Sequence, residues 1–329
     1  MMGRKRWIGI FVGLLACTVA GGAVAQDRYP NKPVRLVVPF AAGGATDIMA
    51  RIMGQKMGEL LGQTFVVDNR PGAGGNLGSD LVAKASPDGY TLLMATASSH
   101  GANPHLYKKF PYHPINDFIA LGALGINPAA LGAHPGIPAK DVPSLIALVR
   151  ANPGKYSYGS GGVGSILHLC GEQFKIKAGG LDIEHVPYRG SAPMINDLAA
   201  GQIMMAFDVL STILPQIQAG AVRAIANGGV ERASALADVP TVAEQGLPGY
   251  VCYSWGVLMA PAKTPASIVA TLHQALITAL TDQTVVKRLR ETGMDVFQPP
   301  RDFDQTQVFY RAEVAKWGEI VKATGILLD

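Results

Sequence analysis

Twice in this chain a short strand-like run enters a glycine-rich turn that opens a helix, and this repeated arrangement limits the fold more than any other feature. Residues 34–40 (VRLVVPF) are apolar and rich in valine, as a buried strand requires. Ala41, Ala42, Gly43 and Gly44 then form a tight turn. Thr46 or Asp47 caps a helix whose apolar positions are Ile48, Met49, Ile52, Met53, Met57 and Leu60. Farther along, residues 156–159 read as a strand, residues 160–165 (SGGVGS) as its turn, and a helix continues through Lys177. Further strands are expected at 65–68, 90–96, 183–188, 203–209, 222–226 and 254–260. Further helices are expected at 79–85, 143–151, 193–200, 265–280, 283–292 and 304–323. Such alternation specifies an α/β protein with mixed, mostly parallel sheets flanked by helices. A length of 329 residues favours two domains. Gly- and Pro-rich segments near 122–128 and 246–249 are the expected crossovers between them.

The amino terminus stands apart from the fold. Arg4, Lys5 and Arg6 precede an uncharged apolar run at 7–20, and Ala23-Val24-Ala25 has the small-x-small pattern of a cleavage site. Residues 1–25 therefore read as an export signal removed before Gln26, which directs the chain to the periplasm. A retained anchor is one alternative, although the run is shorter than the roughly 20 residues of a spanning helix. A lipoprotein signal at Cys17 is another, and the downstream Ala-Val-Ala site argues against it. Removing the signal takes away three positive charges and no negative ones, so the net charge falls from +4 to +1. No basic patch remains to favour nucleic acid. With 48% apolar and 16% charged residues, the chain is not disordered. Cys170 and Cys252 remain after cleavage and are expected as two buried thiols, although an oxidising compartment would allow them to pair.

Ligands of open α/β sheets bind beyond the carboxyl ends of strands. Both glycine-rich turns sit there, each at a helix amino terminus, where free N–H groups and the positive end of the dipole favour an anion. The first turn comprises Phe40, Ala41, Ala42, Gly43 and Gly44. The second includes Ser160, Gly161, Gly164 and Ser165. A carboxylate held between them would draw the two units together. Three charged residues add to the candidate site. Asp47 would cap its helix or hold the first turn in shape, Arg189 would pair with a carboxylate, and Asp208 would accept from a ligand amine or hydroxyl. Solvated or capping roles are the alternatives for Arg189 and Asp208.

Enzyme motifs are missing. Ser160 and Ser99 both lack the first glycine of a G-x-S-x-G elbow. There is no P-loop, the glycine run at 72–78 is one residue out of step with G-x-G-x-x-G, and the seven histidines show no metal-binding spacing. No cofactor and no metal are expected. His168 reads as a packed or loop-bracing side chain rather than a base. A secreted hydrolase using Ser160 or Ser99 with His168 or His100 stays open as a lesser alternative.

The ordered segments Val38-Pro39-Phe40-Ala41-Ala42-Gly43-Gly44, Asp68-Asn69-Arg70-Pro71-Gly72-Ala73-Gly74-Gly75-Asn76, Pro87-Asp88-Gly89-Tyr90-Thr91, Val186-Pro187-Tyr188-Arg189-Gly190 and Asp238-Val239-Pro240-Thr241 resemble those of the Bug-type solute-binding proteins of tripartite tricarboxylate transporters. The resemblance extends from the leader to Trp317. It implies a two-lobed periplasmic-binding-protein clamshell of type II, with lobe I at 26–126 and 250–329 and lobe II at 127–249. It also implies capture of a small organic carboxylate and its delivery to membrane transporter subunits; oligomeric state stays open, with a monomer as the default. A sensing role, in which the ligand is presented to a membrane sensor, is an alternative. By position in the family, Ser98, Ser99, Tyr188, Gly190 and Asp208 form the far pocket wall. Cys170 and His113 depart from the residues common at those positions, alanine and aspartate.

Overall fold

A computed structural model describes residues 29–329. The expected export signal, its expected cleavage site and Cys17 lie outside the described residues. The first elements are β1 (Val34–Val38), α1 (Ala45–Leu61), β2 (Phe65–Asn69), α2 (Asn76–Ala83), β3 (Thr91–Thr96), α3 (Asn103–Leu106) and the long β4 (Phe118–Ala133). There follow α4 (Val142–Arg150), β5 (Ser157–Ser160), α5 (Ile166–Lys177), β6 (Glu184–Pro187), α6 (Ser191–Ala199), β7 (Met205–Val209), α7 (Leu210–Gln218) and β8 (Arg223–Asn227). The chain closes with β9 (Tyr253–Pro261), α8 (Ala266–Thr281), α9 (Gln283–Glu291), β10 (Asp295–Val296) and α10 (Phe303–Thr324). The expected strands and helices all appear, with ends shifted by a residue or a few.

Two groups of strands share β4. The strand order is β2-β1-β3-β9-β4-β7-β5-β6, with β10 and β8 also paired to β4. Within each group the first strands are parallel, β1 with β2 and β3, and β5 with β6 and β7. Strand β9 joins β3 and β4 antiparallel, and β7 and β8 join β4 antiparallel. Residues 118–128 of β4 pair with β9, whereas Ala129–Ala133 pair with β7 and β8. The order and the flanking helices match the expected α/β architecture with mixed sheets, but the sheets are not mostly parallel: four strand pairings are parallel and five antiparallel among the described residues.

The segment at 122–128 corrects the sequence reading. It is not a loop but the middle of β4. Its glycines serve close packing: a Cβ on Gly122 would meet Leu276 Cδ2 at 2.3 Å, and one on Gly125 would meet Asp295 O at 2.3 Å. Pro128 stands where β4 leaves β9, a place where its missing N–H interrupts pairing least. The return crossover lies a few residues past 246–249. Ala129 N–H donates to Cys252 O, Cys252 N–H to Gly228 O, and Gly228 N–H to Ala129 O.

A second correction concerns the cysteines. Cys170 and Cys252 are not two thiols but a disulfide, which ties α5 to the return crossover. Their separation of 82 residues gave no local sign of contact. Only the packing of α5 beside the crossover brings the sulfurs together; Tyr250 Oη donates to Cys170 O, and Val251 N–H donates to Gln173 Oε1.

Three apolar clusters are formed among the described residues. One lies between β1, β3 and helices α1, α8 and α9. One lies beneath α6 and α7. The largest runs through both strand groups and includes Trp255, Tyr310 and Trp317 together with Tyr158, Phe174 and Phe207. Helix α10 presents Tyr310, Val314, Trp317 and Val321 to it. The two groups therefore share a core as well as a strand.

Candidate functional site

The carboxyl ends of β1 and β5 each carry a glycine-rich turn, as the sequence pattern predicts. At the first, the helix cap is Gly44 rather than Thr46 or Asp47. Asp47 turns back into its own loop. Its Oδ2 accepts from Gly43 N–H at 2.9 Å and from Arg51 Nε at 2.8 Å, and its Oδ1 accepts from Asn69 Nδ2 at 3.0 Å. Asn69 Nδ2 also donates to Phe40 O. Burial works against the Asp47 charge, but the bonds from Arg51, Gly43 and Asn69 outweigh it and hold the carboxyl below its ordinary range. Asp47 is thus a buried brace, whereas Ala41, Ala42 and Gly43 of the turn are exposed and Phe40 and Gly44 half-buried. Among the described residues, the N–H groups of Gly44 and Ala45 meet no acceptor.

The second turn is braced from within by side chains. Ser165 caps α5, its Oγ accepting from His168 N–H and donating to Gly162 O. Gly164 N–H donates to His168 Nδ1 at 3.2 Å. Ser160 is fully buried; its Oγ donates to Gly162 O and lies 2.7 Å from His185 Nε2. Gly162 and Gly164 adopt φ of +134° and +76°, conformations in which a side chain is strained. Gly161 and Val163 leave their N–H groups without an acceptor among the described residues.

The Tyr188–Gly190 segment lies against this second turn. Tyr188 N–H donates to Ser160 O, and Gly161 faces Gly190. Tyr188 Oη donates to Asp197 Oδ2, Arg189 is exposed and makes no hydrogen bond among the described residues, and Gly190 caps α6 at φ +108° with open space about it. Asp208 is fully buried at the end of β7. It accepts from Ser191 Oγ, Thr212 Oγ1 and Val209 N–H, and burial raises its pKa to about 6 against those bonds. Its acceptors are taken up by the amino ends of α6 and α7.

Ser98 is half-buried, whereas Ser99 is fully buried and bonded to Thr96, with His100 Nδ1 at 3.0 Å. Of the serine–histidine pairs of the hydrolase alternative, Ser99 does meet His100, whereas Ser160 meets His185, not His168, and both hydroxyls are enclosed. Burial pushes the His185 pKa down to about 4, with His168 and Lys175 adding to it, and burial alone pushes His100 to about 3. Among the described residues no cluster of three or more His, Cys, Asp and Glu side chains is placed to hold a metal ion, and no helix is long and apolar enough to cross a membrane.

Four contributors went unassigned in the sequence reading. Asn69 and Arg51 fix Asp47, His185 fixes Ser160, and Leu328 packs on the second turn, so that a Cβ on Gly164 would meet Leu328 Cδ1 at 2.5 Å. Arg51 carries an i,i+4 signal relative to Asp47. The other three lie far from their partners in sequence and left no such sign. The arrangement presents unpaired backbone N–H groups at the amino ends of α1 and α5, where an anion is favoured.

Residues 49–326 match the model of the tripartite tricarboxylate transporter family receptor. The chain is 35% identical to Protein BugT of Bordetella pertussis over 98% of this chain and 97% of that protein. It is 37% identical to R. palustris Rpa4515, whose structure was solved with adipate, at a TM-score of 0.84 over 91% of this chain and 99% of that one. It is 33% identical to MatC (Rpa3494) from Rhodopseudomonas palustris with bound malate, at a TM-score of 0.82 over 89% of this chain and all of that one.

Proposed function

The chain belongs to the tripartite tricarboxylate transporter receptor family, and from that premise we propose that it captures a small organic carboxylate in the periplasm and delivers it to the membrane subunits of such a transporter. The observation that carries this reading is the pair of glycine-rich turns with unpaired N–H groups at the amino ends of α1 and α5. One carboxylate of the ligand sits between Phe40–Gly44 and the backbone of Gly161–Ser165, with ordered water completing the contacts. Adipate and malate in the relatives support a carboxylate ligand. Ser98, Arg189 and Gly190 face the rest of the ligand, while Asp47, Ser99, Ser160, Tyr188 and Asp208 act through the loops that they brace. The lobes are 26–126 with 250–329, and 127–249. The change of partners along β4 at Pro128 and the return at Cys252 support that division. Closure is a hinge motion about these two crossings. Residues 1–25 act as the export signal, and the disulfide fits an oxidising compartment. The protein works as a monomer, without cofactor or catalysis.

The test is a thermal-shift screen of residues 26–329 against di- and tricarboxylates, beginning with adipate and malate. A ligand confined to the folded state adds about 2.7 kcal/mol at a hundredfold excess over Kd. Stabilisation by one acid class supports capture and names the class. Protein shown by native mass spectrometry to be empty, and unmoved by the whole panel, overturns the reading. Export is checked by fractionating cells that express the full chain, and delivery by uptake of the identified acid in cells with and without the membrane subunits.

A further inference from the structure

Two imidazoles hold the second turn from either end. His168 Nδ1 accepts the Gly164 N–H, and His168 N–H donates to Ser165 Oγ. His185 lies 2.7 Å from Ser160 Oγ, which in turn exchanges hydrogen bonds with Gly162. The two rings are stacked, with centroids 3.9 Å apart and planes 19° from parallel.

We propose that His168 is a positioning residue that holds the turn before α5 in its anion-accepting form, and that it does so only as a neutral imidazole. The consequence for ligand rests on the carboxylate-binding reading above; the consequence for the turn does not. A proton on Nδ1 would set one N–H against another and remove the only acceptor that buried Gly164 N–H has among the described residues. It would also place a cation in contact with the neighbouring imidazole, which resists a second charge. Gly164 at φ +76° would lose its anchor, and the adjoining N–H groups would no longer converge.

The charged groups around the pair are few. On α5, Glu172 accepts from Lys175 Nζ and from Tyr158 Oη, and Tyr158 of β5 stacks on His185. On α10, Glu313 and Lys316 pair with each other and with Tyr253. Beyond Leu328, which lies against Gly164, Lys108 pairs with Asp329 at 2.5 Å. Glu172 favours protonation of both rings and Lys175 opposes it, but burial is the largest influence and lowers both. Both rings therefore charge below the ordinary histidine range.

The experiment uses the mature chain and its variants H168A and H168N. Asparagine keeps an acceptor near the Nδ1 position but does not titrate. Without ligand, the Gly164 amide resonance is followed against the His168 ring signals from pH 7.5 to 4.0. It should move with the His168 titration in the wild type and stay still in H168N. Affinity for adipate and malate is measured over the same range. H168A should bind about tenfold more weakly at pH 7.5, the loss of about one hydrogen bond, and H168N should restore most of that. The wild type should lose about tenfold in acid relative to H168N, which shares any titration of the ligand itself. A Gly164 amide indifferent to His168, wild-type affinity in H168A, or identical pH profiles in wild type and H168N would each overturn the proposal. If the wild type binds neither acid, the capture reading is at fault, and the Gly164 titration still decides the role of His168.

Discussion

Cys170 of α5 is bonded to Cys252 of the return crossover, with Cα atoms 5.4 Å apart. The helix that begins at the second glycine-rich turn is thereby fastened to the segment about which the strand groups meet. Closing a loop of 82 residues restricts the unfolded chain by about 4 kcal/mol on the chain-entropy account. The double variant Cys170→Ala, Cys252→Ala should lose about that much in reversible urea unfolding, and reducing agent should lower the wild-type midpoint while leaving the variant unmoved. A variant as stable as the wild type would show that helix packing alone fixes α5.

Asp47→Ala should loosen the first turn. The substitution strands Gly43 N–H and one Asn69 bond and frees Arg51. Stability should fall by about 1–3 kcal/mol, and affinity for the carboxylate identified in the screen should fall by tenfold or more. Calorimetry on the folded variant separates the two effects. Unchanged affinity would mean that the turn keeps its shape without its brace.

Gly164 and Leu328 should couple. Gly164→Ala meets two obstacles, a φ of +76° and the Leu328 methyl at 2.5 Å. Adding Leu328→Ala should recover the steric share but leave about 1–2 kcal/mol of backbone strain. A double-mutant cycle in thermal unfolding measures this directly, and strict additivity of the two changes would contradict the contact.

Asp208 should impose its own pH dependence on stability. A pKa raised from 3.8 to about 6 means that the folded state holds this proton more tightly than the unfolded chain. Its contribution is therefore greatest below pH 3.8 and falls away as the pH rises through 6. Asp208→Asn removes that slope. The stability of the variant relative to wild type should improve by about 2 kcal/mol between pH 4 and 6.5. Measuring the difference between the two proteins cancels the opposite trend from His100 and His185, whose lowered pKa values weaken the fold as acid is added. A flat difference would show that the three donors to Asp208 fully offset its burial.

The alternation of strands and helices was legible because each element announces itself over five to fifteen neighbouring residues. Apolar runs and glycine turns act locally. The two turns of the candidate site were legible for the same reason, since a glycine run between a strand and a helix needs no distant partner to be recognised. Residues 122–128 misled for a local reason too. Glycine and proline ordinarily mark loops, yet here Gly122 and Gly125 make room for Leu276 and for β10, more than 150 residues away.

By itself, the sequence determined an α/β chain with a basic, then apolar, amino-terminal segment and two glycine-rich turns at helix starts, because periodicity and turn chemistry are properties of contiguous residues. Only the tertiary structure decided that β4 runs unbroken through both strand groups, that Cys170 finds Cys252, that Ser160 meets His185 rather than His168, and that Asp47 and Asp208 turn inward as braces. Most of those outcomes depend on contacts between segments distant along the chain. Such contacts are set by how helices and strands pack into a shared core, a choice that no short window of residues contains.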